Sequence, residues 1–299
     1  MTYEVIFAAD RGAYVSRLEG PRSHVKERKQ RCTFCAIRDN NPDVFTRRIH
    51  VDEKAMVLMN IYPYSPGHLQ VIPPRHVERL EELSREEVVF VMEYLRRSIY
   101  LICETLKPKG YNIGINLGEA GASIPHIHIQ LVPRYDCPLD LGQERVQEIF
   151  LKSAHLLTES PMGAIDIAGG RDPPIFQIGE KEIDGERVRV GINAKPYNRG
   201  HLIFLTENPI LRERPKMLAD LLSMVLEYKA VLKRIYKPNG FNIGMNLGDV
   251  PLNSSRALHL VPRFRRESGF MEVVAGTRVV VEDLEEMKKK IADLFGKSV

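Results

Sequence analysis

Apolar and polar residues follow one another along the first half of the chain in a pattern that predicts two strands and a long helix. Short apolar runs near residues 54–60 and 68–73 flank the turn-forming sequence YPYSPG, which is typical of neighbouring antiparallel strands. Ser84-Arg-Glu-Glu then has the form of a helix N-terminus, and apolar residues recur at helical spacing toward Leu106.

The second half repeats this order. Strands are predicted near 187–194 and 201–206 around the turn KPYNRG, followed by a helix from about Lys216 to Tyr236. The repeat is clearest where KPKGYNIGINLG at 107–118 returns as KPNGFNIGMNLG at 237–248. Two further blocks match in the same order: Asn60 to Leu69 with Asn193 to Leu202, and Leu131 to Tyr135 with Leu260 to Phe264. Matched blocks in a fixed order indicate a duplicated domain.

Each repeat predicts an α+β unit, an antiparallel sheet with one long helix, and two such units in one chain favour side-by-side packing as an intrachain pseudo-dimer. The predicted organisation is a lead-in over residues 1–30, a first domain over 31–160 and a second over 161–299. The second domain ends in a charged amphipathic helix from Glu282 to Phe295.

Composition limits the class of protein. The 299 residues are 43% hydrophobic and 27% charged, as in soluble globular proteins, and the net charge of +4 suits small anionic ligands but does not indicate nucleic acid binding. With no long apolar run and no signal-like N-terminus, a cytoplasmic location without membrane contact is expected. In a reducing compartment, the Cys32/Cys35 pair predicts half of a metal site, and Cys103 and Cys137 predict core thiols.

Residues 126–130 read His-Ile-His-Ile-Gln. On a strand, His126, His128 and Gln130 would share one face while the isoleucines enter the core. This row predicts an active site, and the alternative is a half-buried strand with a solvated polar face. Cys32-Thr-Phe-Cys35 needs two more ligands for a structural zinc, and His50, His68, His76, His126 and His128 are the candidates within the same half. One imidazole of the motif would then hold the metal while the next one reacts.

The first half resembles the histidine triad superfamily, through PGHLQVIPPRH at 66–76, the Asn-Leu-Gly loop at 116–118, and the His-x-His-x-Gln motif. With glutamine at the third motif position, the sequence resembles the nucleotidyltransferase branch of this superfamily. That branch includes galactose-1-phosphate uridylyltransferases and diadenosine tetraphosphate phosphorylases, which also contain two related halves. The resemblance implies two tandem histidine-triad-like domains.

The resemblance also implies residue roles. Zinc would be the cofactor, His128 the nucleophile, and Gln130 the amide that contacts the transferred phosphoryl group. The implied zinc ligands are Cys32, Cys35, His76 and His126. The expected substrate-binding residues are Asn60, His68, Asn116, Gly118 and Ser123, and the small residues of the 118–123 loop suit an anion cradle.

The second copy lacks this chemistry. Alignment on its Val-Pro-Arg sequence places Ser255, Ala257 and His259 opposite the three motif residues. Alanine has no lone pair to offer phosphorus, and no cysteine pair precedes this copy. The sequence therefore predicts one active site per chain, with the second half acting as scaffold or shaping the acceptor pocket.

The expected activity is nucleotidyl transfer through a nucleotidyl-histidine, from a nucleotide-sugar or dinucleoside polyphosphate to phosphate or a sugar 1-phosphate. A phosphorylase is favoured over a galactose-1-phosphate uridylyltransferase, whose motif usually has proline and glycine where this chain has Ile127 and Ile129. A nucleotide hydrolase and a non-catalytic nucleotide-binding module are further alternatives. The motifs do not decide the donor base, the acceptor, or whether the whole chain forms a homodimer. Nucleic acid is disfavoured as a partner.

Overall fold

The computed structural model of the chain describes residues 32–118, 124–136, 139–158, 170–212, 215–248, 254–264 and 287–291. Its principal helices are α1 (Thr33–Arg38), α2 (Arg85–Leu106), α3 (Gln143–Lys152) and α4 (Pro215–Tyr236). Its strands are β1 (Arg47–Val51), β2 (Met56–Met59), β3 (Leu69–Ile72), β4 (Gly110–Gly118), β5 (Ile129–Arg134), β6 (Ile175–Ile183), β7 (Glu186–Asn193), β8 (Leu202–Thr206), β9 (Gly240–Gly248) and β10 (Ala257–Arg263).

All ten strands form one antiparallel sheet in the order β1-β2-β3-β5-β4-β9-β10-β8-β7-β6. The first five strands in this order come from the first repeat and the last five from the second. The predicted α+β class and the intrachain pseudo-dimer are therefore confirmed. The boundary placed between residues 160 and 161 stays a prediction, since residues 159–169 lie outside the described ranges.

The two halves join where β4 pairs with β9 over their full length, from Gly110 opposite Gly248 to Gly118 opposite Gly240. Gly114 faces Gly244 at the centre of this pairing, so a pseudo-twofold axis passes between them. Gly118 has φ +74°, and a Cβ there would lie 2.7 Å from the carbonyl oxygen of Asn239. Glycine permits both this backbone conformation and the close approach of the two halves.

The sheet has one apolar face and one partly polar face. Ile113, Ile115, Ile129 and Leu131 belong to the main core, together with apolar residues of α2 and α4. The alternate residues of β4 and β5 point to the opposite face, which carries the candidate site. The long helix α2 begins as predicted, with a capping box in which Ser84 and Glu87 bond each other's backbone N–H.

The structure differs from the sequence prediction at the motif. The strand begins at Ile129 rather than His126, because pairing with β3 and β4 reaches only to residue 129. Alternation nevertheless continues upstream, since Ile127 is in the core and donates its N–H to the carbonyl of Val77 at 2.8 Å. Helices α1 and α3 and strands β1 and β6 were not predicted.

Some predictions fall wholly or partly on residues outside the described ranges: the lead-in over 1–30, Cys137, Ser123 and much of the Glu282 to Phe295 helix. Residues 287–291 of that helix are helical, and Met287 and Ile291 are buried in the main core. No helix in the described ranges is long and apolar enough to cross a lipid bilayer. Cys103, predicted as a core thiol, is exposed on α2.

Asp52 connects the β1–β2 turn to α2. Its carboxylate accepts the N–H groups of Lys54 and Ala55, each at 2.8 Å, and the hydroxyl of Tyr94. Burial opposes ionisation of Asp52, but the hydrogen bonds from Tyr94, the Ala55 amide and His50 outweigh it and lower its pKa to about 2.

We expect Asp52→Asn to lower the free energy of unfolding by about 1–3 kcal/mol near neutral pH, because a half-buried hydrogen-bond network loses its charge. An unfolded aspartate titrates near pH ~3.9, so this stabilisation is present above pH ~4 and is lost as the pH falls toward ~2. Urea denaturation at several pH values measures it. Exposed Asp43 is the control: if Asp43→Asn changes stability as much as Asp52→Asn, the network has no special role.

Candidate metal centre and active site

Four predicted ligands lie together where the chain enters β5. In the described part of the chain, the ligand atoms of Cys32, Cys35, His76 and His126 all lie within 4.8 Å of one another. Cys32 precedes α1 and Cys35 lies within it, so one turn of helix brings both thiols to the same place. His76 follows β3, and His126 belongs to the motif.

The distances between these atoms suit a tetrahedral metal. Nδ1 of His126 lies 3.4 Å from Sγ of Cys32 and 3.8 Å from Sγ of Cys35, and Nδ1 of His76 lies 3.4 Å from Sγ of Cys35. A tetrahedral zinc with ordinary bond lengths separates its sulfur and nitrogen ligands by about 3.6 Å. The residues present therefore fit a Cys₂His₂ site.

The surroundings of the ligands also suit a cation. His126 points Nε2 at the carbonyl oxygen of Pro73 at 3.0 Å, so Nε2 carries the proton and Nδ1 is left to bind metal. Burial lowers the pKa of His126 to about 4, which keeps the ring neutral. Burial and the adjacent Cys32 raise the pKa of Cys35, so a thiolate pair here calls for a compensating positive charge.

His128 is oriented by the main chain. Its Nδ1 lies 2.8 Å from the carbonyl oxygen of His126, so Nδ1 donates and Nε2 keeps its lone pair. Only 5% of the residue is exposed, and the ring packs edge-on against Phe34 with centroids 5.2 Å apart. Burial lowers the pKa of His128, which favours the neutral imidazole that a nucleophile requires.

Gln130 is oriented by a chain of hydrogen bonds that starts in the turn before β3. The backbone N–H of Tyr64 donates to Nδ1 of His68 at 3.2 Å, which leaves the His68 proton on Nε2. That proton is donated to Oε1 of Gln130 at 2.6 Å. Since the amide oxygen is occupied, Gln130 presents its NH₂ group as a donor. His68 thus acts on the site through Gln130.

Asn116 lies beside His128 on the next strand. Ile115 pairs with Ile129, so the following position of β4 is opposite His128. Oδ1 of Asn116 accepts a hydrogen bond of 2.6 Å from Nδ2 of Asn242, a residue of the second half. The structure therefore brings together His128, Gln130, His68 and Asn116 on one face of the sheet.

Two other predicted residues have structural contacts. Asn60 lies at the far end of β2 from the motif and accepts the N–H of Tyr62 at 2.9 Å, as in an Asx turn. Gly118 ends β4 at the close contact with Asn239. Their substrate-binding roles stay predictions, as does that of Ser123, which lies outside the described residues.

A cavity of about 420 Å³ lies between the two halves beside Asn116 and His126. Its wall carries charges of both signs, from Lys229 and Lys233 of α4 and from Glu78, Arg79 and Glu81 of the first half. Lys229 forms an ion pair with Glu81, whereas the structure describes no ion pair for the exposed Lys233. The cavity thus adjoins the motif at His126, but His128 and Gln130 are not among its lining residues.

The second half reproduces the scaffold of the site without its reactive groups. His259 pairs with Gly244 as Gln130 pairs with Gly114, so the strand register places Ala257 at the position of His128. His201 lies 3.0 Å from His259 and accepts the N–H of Tyr197 at 3.0 Å, as His68 does in the first half. Burial lowers the pKa of His259 to about 4.

Sequence reasoning missed Phe34, Asn242 and Arg263. Phe34 packs on both motif histidines, and nothing in the local pattern distinguishes it from a core residue. Asn242 and Arg263 belong to blocks that repeat between the halves, and this repetition was the only sequence feature that could have drawn attention to them. Their proximity to Asn116 depends on which strands adjoin at the centre of the sheet.

Comparison with known proteins agrees with this architecture. The HIT domain family matches residues 39–137. An AP-4-A phosphorylase of Mycobacterium tuberculosis is 42% identical over 80 residues, which are 26% of this chain and 41% of the relative's length. The HIT-like protein MJ0866 of Methanocaldococcus jannaschii is 30% identical over 106 residues, covering 35% of this chain and 80% of that protein.

One similar solved structure extends across both halves. The GalT-like protein of Arabidopsis thaliana has a TM-score of 0.57 at 15% identity, covering 80% of this chain and 84% of the other. This likeness concerns the fold and includes the second repeat. The matched HIT domain and the relative MJ0866, covered over 80% of its length, show that the chain belongs to the histidine triad (HIT) family.

Proposed function

We propose that the protein is a nucleotidyltransferase that works through a covalent nucleotidyl-histidine on His128. The observation that carries the proposal is the environment of this ring: Nδ1 is bonded to the His126 carbonyl, and Nε2 is the nitrogen left to react. The substrates would be a dinucleoside polyphosphate or a nucleotide-sugar as donor and phosphate or a sugar 1-phosphate as acceptor.

In the first step, the Nε2 lone pair of His128 attacks the α-phosphorus of the donor, and the bond from that phosphorus to the bridging oxygen breaks. The leaving group departs as a nucleotide or a sugar phosphate, and a phosphoramidate remains on the ring. The ring becomes cationic, and its Nδ1–H bond to the His126 carbonyl stabilises the new charge. The NH₂ groups of Gln130 and Asn116 would donate to the phosphoryl oxygens.

In the second step, an oxygen of the acceptor attacks the same phosphorus and the P–N bond breaks, which returns His128 to its neutral form. Gln130 cannot take a proton from water as a histidine could, which favours a phosphate acceptor over hydrolysis.

The Cys₂His₂ cluster would hold zinc in a structural role. Bound there, zinc would link Cys32 and Cys35 of the α1 region to His126, just before β5. His126 supplies the carbonyl that orients His128, so the metal would stabilise the position of the nucleophile through the backbone.

One relative supports a phosphorylase. The phosphorylase from M. tuberculosis matches part of this chain at 42% identity, and its name describes action on diadenosine tetraphosphate. Since this chain spans only 41% of that protein's length, the donor is part of the proposal.

Covalent labelling tests the proposed intermediate. Incubation with diadenosine tetraphosphate, ADP-glucose or UDP-glucose, each labelled at the α-phosphorus, should leave acid-labile, base-stable label on the protein, and added phosphate should discharge it. His128→Ala should abolish labelling, and His155→Ala, at an exposed site outside the motif, should retain it. Absence of label on the wild type with all three donors, or label on His128→Ala, would refute the intermediate. Discharge by water as fast as by phosphate would indicate a hydrolase.

The tautomers of the histidines provide a second test. We expect the ring of His128 to carry its proton on Nδ1, and those of His68 and His201 to carry theirs on Nε2, because backbone groups occupy the complementary nitrogens. Two-bond ¹H–¹⁵N correlation spectra distinguish the two forms. A proton on Nε2 of His128 would leave no lone pair on the reacting nitrogen and would contradict the proposed step.

Metal content provides a third test. The purified protein should contain about one zinc per chain by elemental analysis, and Cys35→Ser should lose most of it and unfold at a lower temperature. Cys103→Ser is the matched control, since Cys103 is an exposed free thiol remote from the cluster in sequence. Full zinc occupancy in Cys35→Ser, or equal loss in Cys103→Ser, would show that the cluster does not bind the metal.

A further inference from the structure

We propose that the second half, although it lacks a nucleophile, completes the active site of the first: Arg263 and Asn242 are positioning residues that orient the amide of Asn116. The proposal rests on the function proposed above, in which Asn116 contacts the phosphoryl group. It assigns a role to residues that lie more than 100 positions beyond the motif in the sequence.

The strand register brings these residues together. Asn116 of β4 pairs directly with Asn242 of β9, and β9 pairs with β10 from His259 to Arg263. His128, Asn116 and Asn242 consequently form a row across the polar face of the sheet, with two members from the first half and one from the second. Neighbouring strands are about 4.8 Å apart, so the row is compact.

The direction of each hydrogen bond follows from the chemistry of arginine. The Arg263 guanidinium can only donate, and its Nη1 donates to Oδ1 of Asn242. The NH₂ group of Asn242 must then face Asn116, and it donates to Oδ1 of Asn116 at 2.6 Å. Asn116 is left with its NH₂ group as the free end. One fixed cation thus determines the orientation of two amides that could otherwise flip.

The orientation of Asn116 matches that of Gln130, which a similar series of hydrogen bonds, here called a relay, sets on the other side of His128. From Tyr64 through His68, a chain of donors leaves Gln130 with a free NH₂ group. From Arg263 through Asn242, a second chain does the same for Asn116. His128 would therefore have one oriented donor two residues further along the chain, at Gln130, and another on the neighbouring strand, at Asn116, both suited to a phosphoryl oxygen.

The pseudo-twofold axis supplies an internal control. Arg134 donates to Oδ1 of Asn112 at 3.2 Å, and Nδ2 of Asn112 donates to Oδ1 of Asn246 at 2.8 Å. This mirror relay uses the same residue types in the same interface. By the register of β9 and β10, it ends beside Ala257, where no nucleophile exists. The two relays therefore differ in the residue beside which they end, which is His128 in one half and Ala257 in the other.

The experiment compares Asn242→Asp with Asn112→Asp in the 299-residue chain. Each aspartate keeps the shape of asparagine and still accepts from its arginine, but cannot donate to the next amide. The single-turnover rate of nucleotidyl transfer to His128 should fall about 10- to 100-fold in Asn242→Asp, because the Asn116 donor loses its orientation. Asn112→Asp should stay within about twofold of the wild type, and both should melt at similar temperatures.

A second pair, Arg263→Met and Arg134→Met, tests the start of each relay in case the aspartate variants fold poorly. The rate should fall in Arg263→Met alone. Equal rates within a pair, whether both unchanged or both reduced alike, would overturn the positioning role and leave Asn242 as an interface residue. Failure of the proposed function is distinguishable, because in that case the wild type itself would show no transfer to His128.

Discussion

The pairing of β4 with β9 is the interaction on which the rest of the structure depends. It joins two five-stranded sheets into one and places residues of both halves on a common face. Gly114 and Gly244 meet at its centre, and glycines at the ends of both strands allow the two backbones to approach closely. On the polar face of each strand two asparagines flank the central glycine, and their amides bond across the junction. The same contact thus provides cohesion and orients polar groups.

This arrangement gives a physical reason for a second half without a nucleophile. Ala257 occupies the nucleophile position, and the CxxC pair has no counterpart, yet Asn242, Arg263 and the glycines remain. These residues form or adjoin the central junction, where a change would affect both halves. The position equivalent to the nucleophile, Ala257, lies on β10 and outside the β4–β9 pairing, so the sheet forms without the reactive groups.

Much of the fold was predictable because the chain repeats itself. The paired blocks predicted two α+β units, and the Ser84 capping box set the start of α2. The zinc ligands and His128 came from motif resemblance, and the clustering of the four ligands agrees with it. The relay through His68 to Gln130 was only partly anticipated, since hydrogen-bond direction depends on the backbone N–H of Tyr64. Asn242 and Arg263 could not be assigned to the site, because no local pattern predicts that β4 and β9 are neighbours at the centre of the sheet rather than edge strands.

The sequence of β4 is also nearly symmetric about its central residue, Gly114. Residues 110–118 read GYNIGINLG, and β9 has nearly the same sequence, GFNIGMNLG. Read backwards, β4 gives GLNIGINYG, which differs from the forward sequence only in the exchange of Tyr111 and Leu117. Gly114 lies on the pseudo-twofold axis, so a second copy of the same strand would place every residue type opposite an equivalent one. The strand is thus palindromic in its chemistry. A single ancestral repeat would have had a ready means of associating with itself, and the present chain holds that association permanently within one molecule.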